Sequence, residues 1–166
     1  MSAIASTATR ASVRFTLTTT DDELARKVEP GAPRPSARLQ AMAKLAEAGV
    51  LTGVLMMPIL PFIEDDPANL QEIVRRTAEA GGKFIVPWIG MSLRTGPREY
   101  YYEQLDQLFP GLRTKYDARY GDRYNCPTPN ERALWQVLNA ACEKYGLTMD
   151  MRLFAPPKPA KQLRLF

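Results

Sequence analysis

Apolar and polar residues along the first half of the chain predict three strands separated by helices. Val13, Phe15 and Leu17 alternate with polar residues, a period of two that is typical of a strand spanning residues 12–18. Residues 51–57 form a nearly continuous apolar run, typical of a strand covered on both faces, and residues 84–89 form a third apolar run. This alternation of strand and helix predicts an α/β fold with a parallel sheet and right-handed crossovers.

Local start signals predict where the helices of this half begin. Thr20 opens a segment with the spacing of a capping box, so we expect it to cap a short helix that ends near Lys27. Ser36 is expected to cap a second helix. Asp66 followed by Pro67 predicts a third helix, because an aspartate N-cap and a proline in the first turn both favour initiation.

Beyond residue 92 the pattern predicts mainly helices. Residues 97–108 and 113–120 read as two helices, and Asn130 can cap a final helix that Gly146 stops. Four parts follow from this: an unstructured N-terminus (1–11), a βαβαβ unit (12–92), a C-terminal helical extension (93–154) and a flexible basic tail (155–166).

Residue counts exclude several classes of site. The 166 residues include no histidine, which excludes histidine triads, imidazole bases and almost all mixed cysteine–histidine zinc sites. Two cysteines, Cys126 and Cys142, are too few for a disulfide framework, a zinc ribbon or an iron–sulfur cluster held by this chain alone. No apolar run approaches the ~20 residues of a membrane helix, and residues 1–12 do not resemble a secretory signal. We therefore expect a cytoplasmic protein with no membrane partner and no metal site of its own.

The net charge of +4 is concentrated near the C-terminus. Of the 22 basic residues, four lie among residues 152–166 with no acid beside them, namely Arg152, Lys158, Lys161 and Arg164. The other 18 basic residues balance the 18 acidic ones. The charge therefore indicates a basic tail, not a nucleic-acid-binding face on the body of the domain.

The loops after the predicted strands favour a ligand site. Working groups of parallel α/β sheets lie at the carboxyl ends of the strands. Here those ends are residues 18–20, 58–66 and 88–94. Two of these loops exceed the usual two to six residues of such connections, which favours a binding site along this edge.

These loops resemble the radical SAM superfamily, in particular its spore photoproduct lyase-like subgroup. The resemblance runs from about residue 12 onward, and the order and spacing of its segments are fairly specific. The matching segments are residues 16–24 (Thr-Leu-Thr-Thr-Thr-Asp-Asp-Glu-Leu), 29–33, 38–39, 48–49, 58–61 (Pro-Ile-Leu-Pro), 64–65 and 124–127. The resemblance implies S-adenosylmethionine-dependent radical chemistry on DNA or a related nucleotide substrate. It also implies a partial (β/α) TIM-like barrel and a [4Fe–4S] cluster held by a CxxxCxxC motif.

The chain departs from that family in two ways. It has no CxxxCxxC motif, and it has too few strands for the family's barrel. It resembles the C-terminal half of such an enzyme, so residues 12–92 correspond to a half-barrel. The chain is then a truncated or a split gene product, and the resemblance implies that the cluster is not bound by this chain alone but needs the missing N-terminal half. Without that half we expect no activity; the alternative is a half-barrel kept for another use.

The resemblance also implies residues that contact the cofactor. Thr18 and Thr19 correspond to the strand end near the ribose and amino-acid part of S-adenosylmethionine, where hydroxyls can bond oxygen atoms. Arg38 corresponds to a partner for the methionyl carboxylate. Pro58 and Pro61 lie where the family packs on adenine. Each of these residues also has a purely structural alternative. The threonine segment could serve only to cap the short helix through Thr20, and Arg38 could be a solvated surface arginine. Pro58 and Pro61 could simply end the strand.

Cys126 and three consecutive acids carry further hypotheses. A thiol near a radical site can donate a hydrogen atom, so Cys126 is a possible hydrogen-atom donor; its alternative is a small residue packed in a loop. Cys142 lies on the apolar face of the last predicted helix and is expected in the core. Glu64, Asp65 and Asp66 are expected to favour the positive end of the following helix and not to catalyse.

The end of the chain carries a hypothesis of another class. Residues 162–166 (Gln-Leu-Arg-Leu-Phe) resemble the pentapeptide with which bacterial proteins dock on the DNA-polymerase sliding clamp. Gln162 would supply hydrogen bonds, while Leu163, Leu165 and Phe166 would fill an apolar pocket after a Pro/Lys spacer. Arg164 departs from the usual Ser or Asp at the middle position. The protein is then a non-catalytic half-barrel that docks on the clamp; alternatively, the tail folds back onto the domain.

Overall fold

A three-stranded parallel sheet lies at the centre of the computed structural model, which describes residues 12–150. The elements in chain order are β1 (Ser12–Thr16), α1 (Asp22–Val28), α2 (Pro35–Glu47), β2 (Leu51–Met56), α3 (Pro67–Glu79), β3 (Phe84–Pro87), β4 (Gly90–Ser92), α4 (Pro97–Leu108), α5 (Leu112–Tyr120), β5 (Asn125–Pro127) and α6 (Glu131–Tyr145). The sheet has the order β1-β2-β3, with both pairs parallel. The predicted α/β class and its parallel strands are confirmed.

Each of the three strands ends one or two residues earlier than the apolar pattern predicts. Leu17 and Ile89 lie outside the strands and are nevertheless buried. The apolar pattern of the sequence reflects burial, and buried residues continue into the loops beyond the last residues that pair between strands. Some hydrogen bonds also continue, such as the one from the Leu17 amide to the Leu55 carbonyl at 3.0 Å.

Two of the four predicted helix caps are wrong, and a third, Asn130, lies at the N-cap of α6 without a capping side-chain hydrogen bond. Asp21, not Thr20, is the N-cap of α1, because its carboxylate accepts hydrogen bonds from the amides two and three residues later. Ser36 lies inside α2, and its amide and hydroxyl both donate to the Asp22 carboxylate, which ties α2 to α1. Asp66 does cap α3 as predicted, accepting from the Ala68 amide at 3.2 Å. No helix within residues 12–150 is long and apolar enough to cross a membrane.

A second, two-stranded antiparallel sheet joins β4 to β5 and was not predicted. Strands of three residues are too short to show a periodic pattern. Gly90 permits the pairing, since a side chain there would lie 2.9 Å from the carbonyl oxygen of Cys126, and its φ of +142° suits glycine.

Buried side chains form two separate cores. In the first, α2, α3 and α6 pack around the sheet, with Met42, Val54, Ile73 and Leu138 fully buried. The second lies among β4, β5, α4 and α5 and is centred on the buried ring of Tyr116. The region predicted as a helical extension therefore contributes to both cores, because α6 returns to pack against α3.

The two edges of the parallel sheet differ. Beyond β3 the chain following α6 pairs in parallel at Thr148, whose carbonyl accepts from the Ile85 amide at 2.9 Å. Beyond β1 no strand pairs within residues 12–150. Within the described residues, the β3 edge is thus paired at Thr148 and the β1 edge has no strand partner.

Candidate functional site

A buried hydrogen-bond network joins the loops that follow β1 and β2. The Thr18 hydroxyl donates to Glu64 Oε1 at 2.6 Å, and the Leu60 amide donates to Glu64 Oε2 at 3.0 Å. Asn69, in the first turn of α3, donates to the backbone carbonyls of both Thr18 and Glu64 at 2.8 Å. This network holds the carboxyl ends of two neighbouring parallel strands together.

Glu64 is the residue that sequence reasoning interpreted wrongly. It does not serve the following helix: its side chain turns inward, leaving the residue 1% exposed, and Asp66 alone caps α3. Burial raises the pKa of Glu64 to about 7, although the hydrogen bonds from Thr18 and Leu60 oppose that rise. The sequence gives no sign that Glu64 is buried, because it is one of three consecutive acids. Its inward direction depends on Thr18, a partner 46 residues away.

Thr18 and Thr19 lie at the carboxyl end of β1 as predicted, and both are buried. The hydroxyl hydrogen of Thr18 is committed to Glu64, while Thr19 Oγ1 accepts from the Asp21 amide at 3.1 Å. Both threonines therefore have structural roles in the chain as it stands. Their contact with S-adenosylmethionine stays a prediction.

Arg38 is not a solvated surface arginine. Its side chain is 13% exposed, donates to the Thr16 carbonyl at 2.7 Å, and forms an ion pair with Glu29. Backbone groups alternate direction along a strand, and the Leu17 amide points to β2, so the Thr16 carbonyl faces the open edge of β1. Arg38 thus occupies one acceptor of that edge, beside a groove of about 460 Å³ lined by Phe15 and Ala41 among others.

The Arg38–Glu29 pair bears on the predicted cofactor contact. The Arg38 guanidinium binds the carboxylate of Glu29, so its position and charge also suit the carboxylate of a ligand. Such a ligand would have to replace Glu29.

Pro58 and Pro61 lie in the long loop after β2, the same loop that carries Glu64. The Met57–Pro58 bond is cis, Pro58 is exposed, and Pro61 is buried with its carbonyl accepting from the Tyr116 hydroxyl at 2.7 Å. The next residue, Phe62, has a φ of +64° and packs edge-on against Tyr116 with ring centroids 5.4 Å apart. A bulky side chain rarely adopts that backbone conformation, so the second core must hold this loop in place.

Cys126 lies apart from this strand edge. It is fully buried in β5, within the second core that also contains Tyr102, Tyr116 and Tyr120. Burial raises the pKa of its thiol, which keeps it protonated. A protonated thiol retains the hydrogen atom that donation requires, and its role as a donor stays a prediction.

The two cysteines do not fit an iron–sulfur cluster. Cys126 belongs to the second core and Cys142, as predicted, to the first, where burial raises its pKa to about 11. Both thiols lie inside packed apolar clusters, and no group of three metal-ligating side chains occurs within residues 12–150. Neither thiol is placed to hold a cluster together with the other.

An apolar cleft of about 120 Å³ lies beside the long loop after β2 and was not predicted. It is lined by residues from the end of α1, by Leu60 and Ile63 of the loop, and by residues of α4 that include Tyr101. The Tyr101 and Tyr116 hydroxyls lie 2.9 Å apart, which connects the wall of the cleft to the second core. Tyrosines at consecutive helix positions signal an aromatic surface, but only the packing shows which ring turns inward.

The predicted clamp-docking residues Gln162, Leu163, Leu165 and Phe166 lie outside the described residues, as does the N-terminal segment 1–11. Their role stays a prediction.

Comparison with known proteins finds relatives without assigned functions. Uncharacterized proteins of Mycobacterium tuberculosis and Mycobacterium bovis are 31% identical to the chain over 147 residues, which is 89% of this chain and 43% of theirs. An uncharacterized protein of Acidianus two-tailed virus is 33% identical over 72 residues, 42% of this chain and 24% of its own. No protein-family model and no solved structure matches. The chain spans less than half the length of the mycobacterial relatives.

Proposed function

We propose that this chain is the C-terminal portion of a radical SAM enzyme of the spore photoproduct lyase-like type, acting on DNA or a related nucleotide substrate. The observation that supports it most is the order β1-β2-β3 of consecutive parallel strands, with Thr18 and the Pro58–Pro61 loop at their carboxyl ends. Ligands of parallel α/β sheets bind at that edge. The resemblance assigns those same loops to the cofactor.

A partial TIM-like barrel is part of this proposal. The β3 edge of the sheet is covered at Thr148, whereas the β1 edge has backbone groups without a strand partner in the described region. Exposed strand edges pair readily with other strands. The mycobacterial relatives are more than twice as long as the matched region. Further parallel strands from an N-terminal half would extend the sheet at β1.

The proposed cofactor is S-adenosylmethionine, with the [4Fe–4S] cluster supplied by the N-terminal half. When bound and reduced, this pair supplies an adenosyl radical. In the present chain Arg38 would bind the methionyl carboxylate after displacing Glu29. Thr18 and Thr19 would lie beside the ribose, and Pro58 and Pro61 beside adenine.

Nuclear magnetic resonance spectra of the chain with added S-adenosylmethionine test the proposal. Without a cluster we expect millimolar affinity, with shifts confined to the amides near Thr18, near Arg38 and in the loop from Pro58 to Pro61. Arg38→Ala should abolish these shifts, and Glu29→Gln should strengthen binding by freeing the guanidinium. Arg75→Ala is the matched control, since Arg75 pairs with Glu72 and Glu79 on the surface of α3. Unchanged spectra, or equal shifts in all three variants, would contradict the proposal.

A second candidate function is a non-catalytic module that docks on the replication sliding clamp. The sequence of residues 162–166 supports it, together with the Pro/Lys spacer before them. The DNA upstream of the coding sequence separates the two candidates at little cost. An adjacent frame with CxxxCxxC favours the enzyme, and its absence favours the module.

A further inference from the structure

The Thr18–Glu64 hydrogen bond has two possible directions. Thr18 has a single hydroxyl hydrogen, and it can donate that hydrogen to Glu64 Oε1, 2.6 Å away, whenever the carboxyl is ionised. The threonine oxygen can then only accept a hydrogen bond from any other group. When the carboxyl is protonated, its own hydrogen can be donated to the threonine oxygen. The threonine hydrogen then becomes available to a second acceptor.

We propose that Glu64 is a positioning residue whose protonation state decides whether the Thr18 hydroxyl offers an acceptor or a donor at the carboxyl end of β1. Glu64 suits this role because its other oxygen is held by the Leu60 amide and its backbone by Asn69, so the carboxyl cannot rotate away. The switch needs only a proton on Glu64 and a rotation of the Thr18 hydroxyl hydrogen. The loops themselves stay joined in both states through Asn69.

The charges around Glu64 keep both states accessible. Burial disfavours the ionised carboxyl most, and Glu29 from the end of α1 and Asp65 from the same loop disfavour it further, which together raise its pKa to about 7. From α4 the Tyr101 phenol lies within electrostatic range of the carboxyl. The guanidinium of Arg38, on α2, is paired with Glu29. The opposing influences on Glu64 are two neutral donors, Thr18 and Leu60.

This arrangement links proton uptake to ligand chemistry, a consequence that rests on the proposed function. A ligand that presents an oxygen acceptor to Thr18 should take up a proton at Glu64. A ligand that presents a hydroxyl or ammonium donor should release one. The binding edge would therefore select between ligand donors and acceptors according to pH.

A pH titration of the ligand-free chain by carbon-13 nuclear magnetic resonance tests the inference independently of any cofactor. We expect the Glu64 carboxyl carbon and the Thr18 signals to titrate with one common midpoint. Thr18→Val removes the donor to the ionised carboxyl and should raise the Glu64 midpoint by about one pH unit. Thr18→Ser keeps a hydroxyl and should restore the original midpoint.

Two acid variants complete the test. Glu64→Gln should remove the pH response of Thr18, whereas Glu72→Gln, at a surface-exposed glutamate of α3 paired with Arg75, should leave it intact. Should Glu64→Gln fail to fold, the Thr18→Val and Thr18→Ser pair decides the question. Thr18 signals that do not follow Glu64, or a midpoint that Thr18→Val leaves unchanged, would overturn the inference. Failure to bind S-adenosylmethionine would overturn only the proposed function.

Discussion

Gly53 of β2 lies directly opposite Phe84 of β3, and the Phe84 ring covers the place where a side chain on Gly53 would project. A β-carbon built on Gly53 would lie 2.5 Å from the ring atoms. Phe84 is fully buried, so the ring has little room to move. The pairing of these two strands therefore depends on a residue without a side chain.

Gly53→Ala should destabilise the fold by about 2 kcal/mol, because an added methyl group in a packed core forces neighbouring atoms apart. Urea unfolding measures the loss. The matched test repeats the substitution in a Phe84→Leu background, where the smaller side chain leaves space and the cost should be clearly lower. Equal costs in the two backgrounds would show that the ring does not limit this position.

Glu64 should make stability depend on pH. The folded state holds this proton more tightly than the unfolded chain, because the pKa rises from 4.5 to about 7 on folding. The contribution of Glu64 to stability is therefore fully present below pH 4.5 and is lost as the pH rises through 7, a loss on the order of 3 kcal/mol. Urea unfolding between pH 4 and pH 8 should show that fall in the wild type (~1.4 kcal/mol per pH unit at most).

Glu64→Gln should flatten this dependence, since the amide retains the size of the carboxyl without its titration. Glu72→Gln should keep the wild-type slope, because Glu72 is a surface residue paired with Arg75. A slope that survives in Glu64→Gln would assign the pH dependence to other acids.

Tyr116→Phe should destabilise the long loop after β2. The substitution leaves the Pro61 carbonyl and the Tyr101 hydroxyl without the partner that now lies 2.7 Å and 2.9 Å from them. A cost of about 1–2 kcal/mol in urea unfolding is expected for such buried polar groups. Tyr100→Phe is the control and should be neutral, since Tyr100 is 63% exposed. Similar costs for the two variants would mean that the Tyr116 hydroxyl does not hold the loop.

The chain alone should not retain a [4Fe–4S] cluster, because its two thiols lie in different buried cores. Anaerobic reconstitution, gel filtration and analysis of iron and sulfide measure this directly. The double variant with both cysteines changed to serine is the background control, and it should retain as little iron as the wild type. Near-stoichiometric iron in the wild type alone would refute the prediction.

The tail should bind a bacterial sliding clamp with micromolar affinity, on the order of −8 kcal/mol. Leu165 and Phe166 are the expected anchors, since burying each is worth about 1.5–3 kcal/mol. Fluorescence anisotropy of a labelled tail peptide titrated with purified clamp measures the affinity. Arg164→Ser is the matched variant and should bind at least as well as the wild type. Tails with Leu165→Ala or Phe166→Ala that bind as well as the wild type would rule out the pocket.

The sequence was sufficient to predict the elements that depend on near neighbours. The period-two pattern around Phe15 and the apolar run at residues 51–57 correspond to β1 and β2, because burial of one or both faces leaves its period in the chain. Asp66 and Pro67 start α3 because a cap acts within its own first turn. The cap predicted at Thr20 was wrong because the Asp21 carboxylate accepts from the first amides of α1 instead. Ser36 does not cap α2 because the helix begins before it and its hydroxyl donates to Asp22 of α1.

Only the tertiary structure decided which polar groups of the candidate site meet. Thr18 and Glu64 are 46 positions apart, and Arg38 reaches a carbonyl 22 positions away at the open edge of β1. Local sequence carries no record of such pairs, since each depends on the parallel register of β1 with β2 and on the helix that crosses between them. The raised pKa of Glu64 also depends on the tertiary structure. Its main cause is burial, and the fold makes this glutamate the least exposed of three consecutive acids.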